Sequence, residues 1–501
     1  MIQFLKKHLY STLIIVLFGL ILFINYYDVL KFHYFVPPGN DPVAHISIVK
    51  EILEKGKAPA PGYPPGFHYV VAGLSKIFNT NPIKTIVYFY PFLMFLSALA
   101  IYLFARQFFG KAVAILALFL AGYITHMPRQ TLWDGGFPDV ITANCIMIFG
   151  FMFFLRAYKY EKWRDVFLAG LFLGAVPFFH HLSSYLMVNI IIVTTFGLII
   201  FSKFAKDNPK KKLVILGTIW ILIILIGVYP AYIYFGKGYL QQISSTFIAH
   251  AASLKGFILR STSLNSEAPP PQWADYALFV SPFVWYLGLL SIPFLLKNFL
   301  KNKKAEYLFV FLWVAIVFIL SRPVFFSPLP GRFTRELTIP LIFCSAIFIK
   351  EVLVFFKPFL LRAILAMLIA IFLIKGLFVW GAFAWVGKYN PMIFVRNLDK
   401  QALDFVSQNT PANAKFAVAP FNIWFGLMTD KQFSNIGTDF TKISNYDYLY
   451  INRWQNDWMW GPDSKPYIKI RSEVAGRQDL QLIKTFGEEN EQGIAIYKIN
   501  K

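Results

Sequence analysis

An aspartate directly before a proline, in the stretch Gly39-Asn40-Asp41-Pro42-Val43-Ala44-His45, has the setting of a group that does chemistry. The spacing of the residues that follow predicts a helix with Asp41 as its N-cap, the proline as its first residue and Gly56 as its end. A carboxylate at a helix N-terminus stays ionised, which suits a metal ligand or a general base. The alternative is an aspartate that only caps a helix lying on the membrane surface.

A second polar loop carries two carboxylates, Asp134 and Asp139, placed around a Gly-Gly pair and a proline. Oxygen-rich sites suit Mg or Mn, so these two side chains and Asp41 are candidate ligands for such a metal. The alternative is that Asp134 ties its own turn and Asp139 caps the next membrane span.

Three histidines are candidates for binding substrate. His180 and His181 are followed by Leu-Ser-Ser, and together these side chains can donate several hydrogen bonds to a phosphate or a sugar. His45 shares the predicted helix face of Asp41. Interfacial packing is the alternative for the adjacent pair.

Two arginines and one glutamate complete the candidate substrate-binding residues. Arg332 and Arg335 lie at the edge of a predicted span, where a planar guanidinium suits phosphate oxygens. Anchoring of the span to lipid headgroups is the alternative for both. Glu267 belongs to the long polar loop 235–275, which we interpret as a mobile substrate loop or, equally, as a solvated connector.

The composition indicates that membrane-spanning helices must position these side chains. Hydrophobic residues make up 57% of the chain and charged residues only 15%, which is far more apolar than a soluble protein. The net charge of +22 falls largely in short loops between apolar runs, which predicts a membrane topology and not nucleic-acid binding. Cys145 and Cys344 lie inside apolar runs and provide neither a disulfide framework nor a metal site.

The apolar runs predict about eleven spans. The first, near 9–24, lacks a small-residue cleavage site and is interpreted as uncleaved. Ten further runs are long enough to cross a core of ~30 Å: 85–105, 112–126, 137–155, 166–180, 184–202, 213–234, 276–296, 307–321, 337–356 and 363–386.

The distribution of lysine and arginine predicts the orientation of the chain. Loops rich in these residues alternate with polar loops, so the positive-inside rule places the N-terminus inside and everything after about 387 outside. We therefore expect an integral protein of the plasma or cytoplasmic membrane. It comprises a polytopic α-helical domain, 1–387, and a small soluble extracytoplasmic α/β domain, 388–501.

The α/β expectation for the last segment comes from short periodic runs between turn residues. A helix is predicted over 399–408, and four strands are predicted over 415–419, 446–451, 480–485 and 493–499.

Together these residues resemble the GT-C superfamily of integral-membrane glycosyltransferases, which use polyprenyl-phosphate-linked sugars. The stretch Asn40-Asp41-Pro42-x-x-His45 is similar to the first outer loop of oligosaccharyltransferase catalytic subunits, and Tyr63-Pro64-Pro65-Gly66 looks like a turn common in GT-C proteins. The resemblance implies that Asp41 is catalytic and binds metal, and that Asp134 and Asp139 form the acidic pair of the second loop. It also implies inversion at the anomeric carbon.

One departure from that family bears on the acceptor. Oligosaccharyltransferases carry a Trp-Trp-Asp-Tyr-Gly motif after a helix ending in Asn-Thr-Pro, whereas Asn409-Thr410-Pro411 is followed here by no such motif. We therefore expect a GT-C-like transferase that moves a sugar from a polyprenyl-phosphate donor to a lipid-linked glycan, a cell-surface polymer or a protein, with Mg or Mn as candidate cofactors. The alternatives are a glycan polymerase or ligase using a diphosphate carrier, a transporter or flippase, and an inactive protein with the same fold.

Overall fold

The structure is a computed structural model. It describes most of the chain: residues 2–39, 41–59, 63–125, 129–204, 209–231, 233–234, 273–322, 327, 330–356, 358–379, 381–384, 386, 388, 393–453, 465–487 and 493–501.

The described residues are mostly helical, because a chain in lipid must satisfy its backbone hydrogen bonds within itself. The α-helices are Ile2–Lys31, Pro42–Lys55, Gly66–Ile77, Pro82–Phe108, Lys111–Phe119, Arg129–Trp133, Phe137–Ile141, Met147–Tyr160, Trp163–Phe179, His181–Phe204, Pro209–Ile223, Trp273–Val280, Pro282–Leu290, Ile292–Asn302, Ala305–Leu320, Pro330–Glu336, Thr338–Phe355, Phe359–Val379, Asn397–Asn409, Phe425–Thr429 and Lys465–Ala475. The 3-10 turns are Ala382–Ala384 and Ile443–Asn445.

Within the described part of the chain, nine helices are long and apolar enough to cross a membrane, and the chain is therefore an integral membrane protein. This confirms the predicted fold class. Two predicted spans are shorter helices: Trp163–Phe179 has 17 residues and Ala305–Leu320 has 16. At a rise of about 1.5 Å per residue they lie at the lower limit for crossing the apolar core.

Two π-helical turns flank the segment that carries Asp134 and Asp139. Leu120–Ile124 precedes this segment and Thr142–Ile146 follows it, while a third turn, Ile224–Val228, lies elsewhere. Such turns widen a helix locally and are frequent at functional sites. They place irregular backbone at the same end of two neighbouring helices.

The helix after Asp41 is the one that the sequence predicts. It spans Pro42–Lys55, and Gly56 ends it in a left-handed conformation with φ +72°. The N–H of Gly56 donates to the carbonyl oxygen of Ile52, which satisfies one of the last free carbonyls.

A five-stranded sheet forms the C-terminal region in the order β2-β1-β3-β5-β4. The strands are β1 Lys415–Ala419, β2 Gln432–Asn435, β3 Tyr448–Asn452, β4 Leu480–Phe486 and β5 Ile494–Ile499. β1 pairs in parallel with β2 and β3, whereas β5 pairs antiparallel with β3 and β4. The four predicted strands are present, and β2 is an additional, mostly exposed edge strand.

The sheet packs against the end of the helical body that carries the helices Pro42–Lys55 and Gly66–Ile77, which we call the loop face. Lys50 Nζ lies 3.7 Å from Asp430 Oδ1, and Lys400 Nζ lies 6.0 Å from the centre of the Phe35 ring. The hydrophobic core continues from the membrane helices into the sheet. The predicted boundary at 387 stays a prediction.

A buried aspartate joins the first helix of this region to the sheet. Asp399 is fully buried, and its Oδ2 accepts hydrogen bonds from the backbone N–H and Nε of Arg396, at 2.9 and 3.1 Å. Its Oδ1 accepts from Asn452 Nδ2 on β3, at 2.5 Å. The carboxylate thus satisfies donors from two elements that would otherwise be buried without an acceptor.

We predict that Asp399→Ala lowers the free energy of unfolding of the sheet region by about 3 kcal/mol, because it leaves a guanidinium and an amide without their shared acceptor. Asp404→Ala on the same helix is the control. Its pair with Lys400 is partly exposed, so its loss should cost less than about 1 kcal/mol. Proteolysis rates of the two variants in detergent measure the difference, and equal rates would contradict the role given to Asp399.

Candidate functional site

The two loops that carry the predicted aspartates interlock through a pair of glycines. Gly39 and Gly135 both have a left-handed backbone, with φ of +92° and +91°. A Cβ on Gly39 would lie 2.4 Å from the carbonyl carbon of Asp134. A Cβ on Gly135 would lie 2.6 Å from Cδ of Pro42 and 3.3 Å from Cβ of Asp41. Only glycine allows this approach, which brings Asp41 and Asp134 onto adjoining segments of backbone.

The side chain of Asp41 is exposed and makes no capping hydrogen bond. Asp41 precedes the helix as predicted, but its carboxylate does not cap the helix. Among the described residues, Asp134 and Asp139 each have a basic partner, whereas no ion pair involves Asp41. Of the three candidate carboxylates, Asp41 is the one available to a substrate.

Asp134 is held by an arginine from a distant part of the chain. Arg335 Nη1 lies 2.9 Å from Asp134 Oδ2. Arg335 belongs to the short helix Pro330–Glu336, which also carries the exposed side chain of Arg332. The ion pair therefore fixes the arginine-bearing helix beside the second loop.

Asp139 is held by residues at a break between two helices. His180 is in an extended conformation between the helices Trp163–Phe179 and His181–Phe204. Its Nδ1 lies 3.2 Å from Asp139 Oδ1, and Ser183 Oγ donates to the same oxygen at 2.9 Å. This aspartate thus binds a neighbouring element instead of only capping its own helix.

A cleft opens between these groups. Its polar lining comes from the carboxylates of Asp139 and Glu336, the guanidinium of Arg335, and the side chains of Thr131 and Asn144. Sequence reasoning did not assign a role to Glu336, although it lies next to one of the predicted arginines. A single glutamate at the edge of a span gives no signal that it lines a cleft.

Four histidines surround one tyrosine, and we call them the histidine cluster. The ring centre of Tyr63 lies 5.2 Å from that of His45, 5.7 Å from His68, 6.3 Å from His180 and 5.6 Å from His181. His45 Nδ1 and His68 Nε2 share a hydrogen bond of 3.0 Å. The predicted residues of three separate segments therefore meet, and His68 joins them.

A glycine at the start of the helix Gly66–Ile77 permits this meeting. A Cβ on Gly66 would lie 2.7 Å from the carbonyl oxygen of Phe178 and 2.7 Å from the Phe179 ring. This close approach presses the turn after Tyr63 against the helix end that precedes His180. The turn was visible in the sequence, but the contact that places His68 in the cluster was not.

Glu267 lies outside the described residues. In the part of the chain that the structure describes, no group of three histidine, cysteine, aspartate or glutamate side chains could hold a metal ion. The assignment of Asp41, Asp134 and Asp139 as metal ligands, like the other site assignments, stays a prediction.

Burial keeps the first two histidines of the cluster neutral. It lowers the pKa of His45 from 6.5 to about 3, with smaller contributions from the charges of His68 and His180. It likewise lowers the pKa of His68 from 6.5 to about 4. At neutral pH these imidazoles can therefore both donate and accept hydrogen bonds.

We predict that this burial makes the protein less stable in acid. Below pH 6.5 the unfolded state binds protons that the folded state does not, so stability falls as the pH drops from 6.5 towards 4. Each histidine contributes a slope of about 1.4 kcal/mol per pH unit. The melting temperature of the double variant His45→Gln/His68→Gln should fall less between pH 7 and pH 5 than that of the parent protein.

The exposed His33 gives the matched control. Its backbone is left-handed, with φ +47°, a conformation that asparagine tolerates. The slope of melting temperature against pH should therefore be unchanged in His33→Asn. A parental slope in the double variant would show that the two buried imidazoles are not the cause.

Three solved structures share the architecture of this chain. The archaeal oligosaccharyltransferase AglB from Archaeoglobus fulgidus, in complex with an inhibitory peptide and a dolichol-phosphate, has a TM-score of 0.64 at 13% identity, covering 90% of this chain and 70% of its own. ArnT from Cupriavidus metallidurans, bound to undecaprenyl phosphate, has a TM-score of 0.54 at 11% identity, with 96% and 97% covered. The arabinofuranosyltransferase AftD from Mycobacteria has a TM-score of 0.52 at 11% identity, with 97% and 40% covered.

All three are GT-C glycosyltransferases, and the fold of this chain is therefore the GT-C fold that its residues resemble. No curated protein matches the chain in sequence. A family model described as a family of unknown function, DUF6541, matches residues 5–324. Because that match spans more than half of the 501 residues, the chain belongs to the DUF6541 family.

Proposed function

We propose that this protein is a membrane glycosyltransferase that moves a sugar from a polyprenyl-phosphate donor to an acceptor at the loop face. One observation carries the proposal. The glycine contact between the loops leaves Asp41 exposed, without a capping bond or a described ion pair, beside a loop that is tied to the arginine-bearing helix. A carboxylate and an arginine-bearing helix thereby belong to one part of a GT-C fold, which supports the proposal.

The donor's phosphate binds at Arg332 in this proposal. Arg335 on the same helix is occupied by Asp134, whereas Arg332 is exposed and has no ion pair among the described residues. Two of the structural neighbours are bound to a dolichol-phosphate and to undecaprenyl phosphate, which supports a polyprenyl-phosphate carrier here. The guanidinium of Arg332 offsets the charge that develops on the leaving phosphate.

Asp41 acts as the general base. It takes the proton from the acceptor hydroxyl while the acceptor oxygen attacks the anomeric carbon of the donor, and the bond to the carrier phosphate breaks. Because the attacking oxygen and the leaving phosphate lie on opposite faces of that carbon, the configuration inverts. Asp134 and Asp139 serve this step indirectly, since each is paired and holds a neighbouring element in place.

The geometry does not favour a metal-dependent step. The oxygen ligands are chemically suited to Mg or Mn, but Asp134 is paired with Arg335 and Asp139 is in contact with His180 and Ser183, and the described residues contain no group of three ligands. We therefore derive no step through a metal. A related oligosaccharyltransferase was solved in complex with Zn and sulfate, and the requirement is best settled by chelation.

The histidine cluster binds the sugar. His45 and His68 are buried and hydrogen-bonded to each other, whereas His181 is exposed, and its imidazole can form hydrogen bonds with hydroxyl groups. His180, at the helix break, contacts Asp139, which lines the cleft. In this proposal the cluster contacts the donor or acceptor sugar ring, and Arg332 binds the phosphate.

Two other functions remain as alternatives with distinct expectations. A glycan polymerase or ligase using a diphosphate carrier would also be independent of metal, as the paired aspartates favour. A transporter or flippase would line its spans with polar residues. Lys375, the one lysine within the predicted last span, is instead exposed on the surface of the helix Phe359–Val379, which does not favour a transport path there.

We predict that Asp41→Asn reduces sugar transfer by about 100-fold or more, because asparagine cannot accept the proton. The measurement is transfer from a panel of radiolabelled polyprenyl-phosphate sugars in membranes containing the protein. Glu54→Gln, an exposed residue on the helix that follows Asp41, is the matched control and should transfer as the parent does.

A parallel reaction in EDTA separates the two roles open to Asp41. Undiminished transfer in EDTA, together with loss in Asp41→Asn, is the result expected for a base. Loss in EDTA would assign Asp41 to a metal instead. If Asp41→Asn transferred as well as the parent, the proposed site would be wrong, and consumption of a diphosphate-linked glycan would favour the ligase.

A further inference from the structure

The cleft that Asp139 and Glu336 line contains a carboxylate that no described residue pairs with. The side chain of Glu336 makes no hydrogen bond and no ion pair within the described residues. The other carboxylates differ, because Asp134 is paired with Arg335, and Oδ1 of Asp139 contacts His180. Repulsion from Asp139 also acts on Glu336 more strongly than attraction to Arg335 does. One negative charge in the cleft is therefore left uncompensated by the described side chains.

Two neutral side chains that line the same cleft also lack a partner. Thr338 is 2% exposed, and its Oγ1 is buried without a hydrogen bond in the described structure. Asn144 is 8% exposed, and its amide likewise makes no described hydrogen bond. Leaving a buried polar group without a partner is unfavourable, and such groups in native proteins indicate a bound water or ion.

These groups belong to elements that are far apart in the sequence. Asn144 lies in the π-helical turn Thr142–Ile146, whereas Glu336 and Thr338 flank the junction between two helices. A ligand between them would join the arginine-bearing helix to this turn.

The size and the chemistry of the cleft limit the ligand. The enclosed space accommodates about one water molecule, which excludes a sugar, a phosphate and a magnesium ion that keeps several of its waters. The available donors are oxygen atoms, which suit hard cations; they are the carboxylate of Glu336, Oδ2 of Asp139, the amide oxygen of Asn144 and the hydroxyl of Thr338. A single positive charge balances the uncompensated carboxylate, whereas a divalent ion would leave excess positive charge beside Arg335.

We propose that this cleft binds one alkali-metal cation, sodium or potassium, among the oxygens of Glu336, Asp139, Asn144 and Thr338. Only two of these donors are carboxylates, so the site is not a group of three acidic or histidine ligands, of which the described residues contain none. The ion fixes the helix junction against the π-helical turn. Its binding does not depend on the proposed transfer reaction.

Binding of radioactive sodium to the full chain in phosphatidylcholine nanodiscs tests the site directly. We expect about one bound ion per chain, displaced by unlabelled sodium or potassium but not by choline. Replacing choline chloride with sodium or potassium chloride at constant ionic strength should also raise the melting temperature by about 3 °C, because a ligand that binds only the folded state stabilises it. The salt that gives the larger rise identifies the preferred ion.

Two isosteric variants locate the ion. Glu336→Gln removes the charge, so it should weaken binding at least about tenfold and abolish the rise in melting temperature. Thr338→Val removes one ligand and should reduce the rise, but in choline it should melt no lower than the parent, because the lost hydroxyl has no described partner. Glu351→Gln is the matched control, since that carboxylate is paired with Lys350, and it should respond as the parent does.

Equal melting temperatures in choline, sodium and potassium, with no bound radioactive ion, would overturn the site and show that the cleft holds only water. A full response in Glu336→Gln would place the ion elsewhere. An unreduced response in Thr338→Val would overturn the site even if Glu336→Gln did not fold. Stabilisation by calcium but by neither alkali metal, reversed by EDTA, would show that the ion is divalent and the proposal wrong.

Discussion

The contact between Gly39 and the backbone of Asp134 and Gly135 is the constraint on which the rest of the loop face depends. A side chain at Gly39 would occupy the position of the Asp134 carbonyl group, 2.4 Å from its carbon, and backbone atoms cannot move aside as the end of a side chain can. The two loops can therefore pack together in only one arrangement. That arrangement fixes the position of Asp41 and the start of the helix that follows it.

Contacts of Asp134 and Asp139 link this pair of loops to the arginines and the histidines. Asp134 follows the short helix that carries Arg129, and its ion pair with Arg335 joins it to the helix of Arg332. Asp139, in the short helix Phe137–Ile141 that follows, is joined to His180 and so to the histidine cluster. The stretch from Arg129 to Asp139 thus connects the cleft, the arginines and the histidines, which explains how a site can be built from segments that lie far apart in the sequence.

The sequence predicted those features that depend on local pattern. The apolar runs predicted the membrane helices. The proline after Asp41 and the later Gly56 predicted the helix Pro42–Lys55, because helix ends are set by neighbouring residues. The edge strand Gln432–Asn435 escaped prediction because it is short and mostly exposed, so it has no alternation of apolar and polar residues. Its pairing with β1 depends on the sheet, not on its own residues.

Several residues of the site could be predicted from the sequence, but the contacts between them could not. Asp41, Asp134 and the arginines could be named from their types and positions, but the partner of each is a tertiary contact. Nothing in the sequence distinguishes Gly135 from any other loop glycine. The burial of Arg129 was equally hidden, because an arginine at the edge of a span most often reaches water or a headgroup, and only the structure shows it enclosed.

Gly39→Ala tests most directly whether the loop contact holds Asp41 in position. The measurement is sugar transfer and melting temperature of this variant beside Gly73→Ala, where the added Cβ would meet no atom within 4 Å. Our account predicts that Gly39→Ala melts at a lower temperature and loses transfer to the level of Asp41→Asn, while Gly73→Ala keeps both properties. Full transfer and an unchanged melting temperature in Gly39→Ala would contradict it.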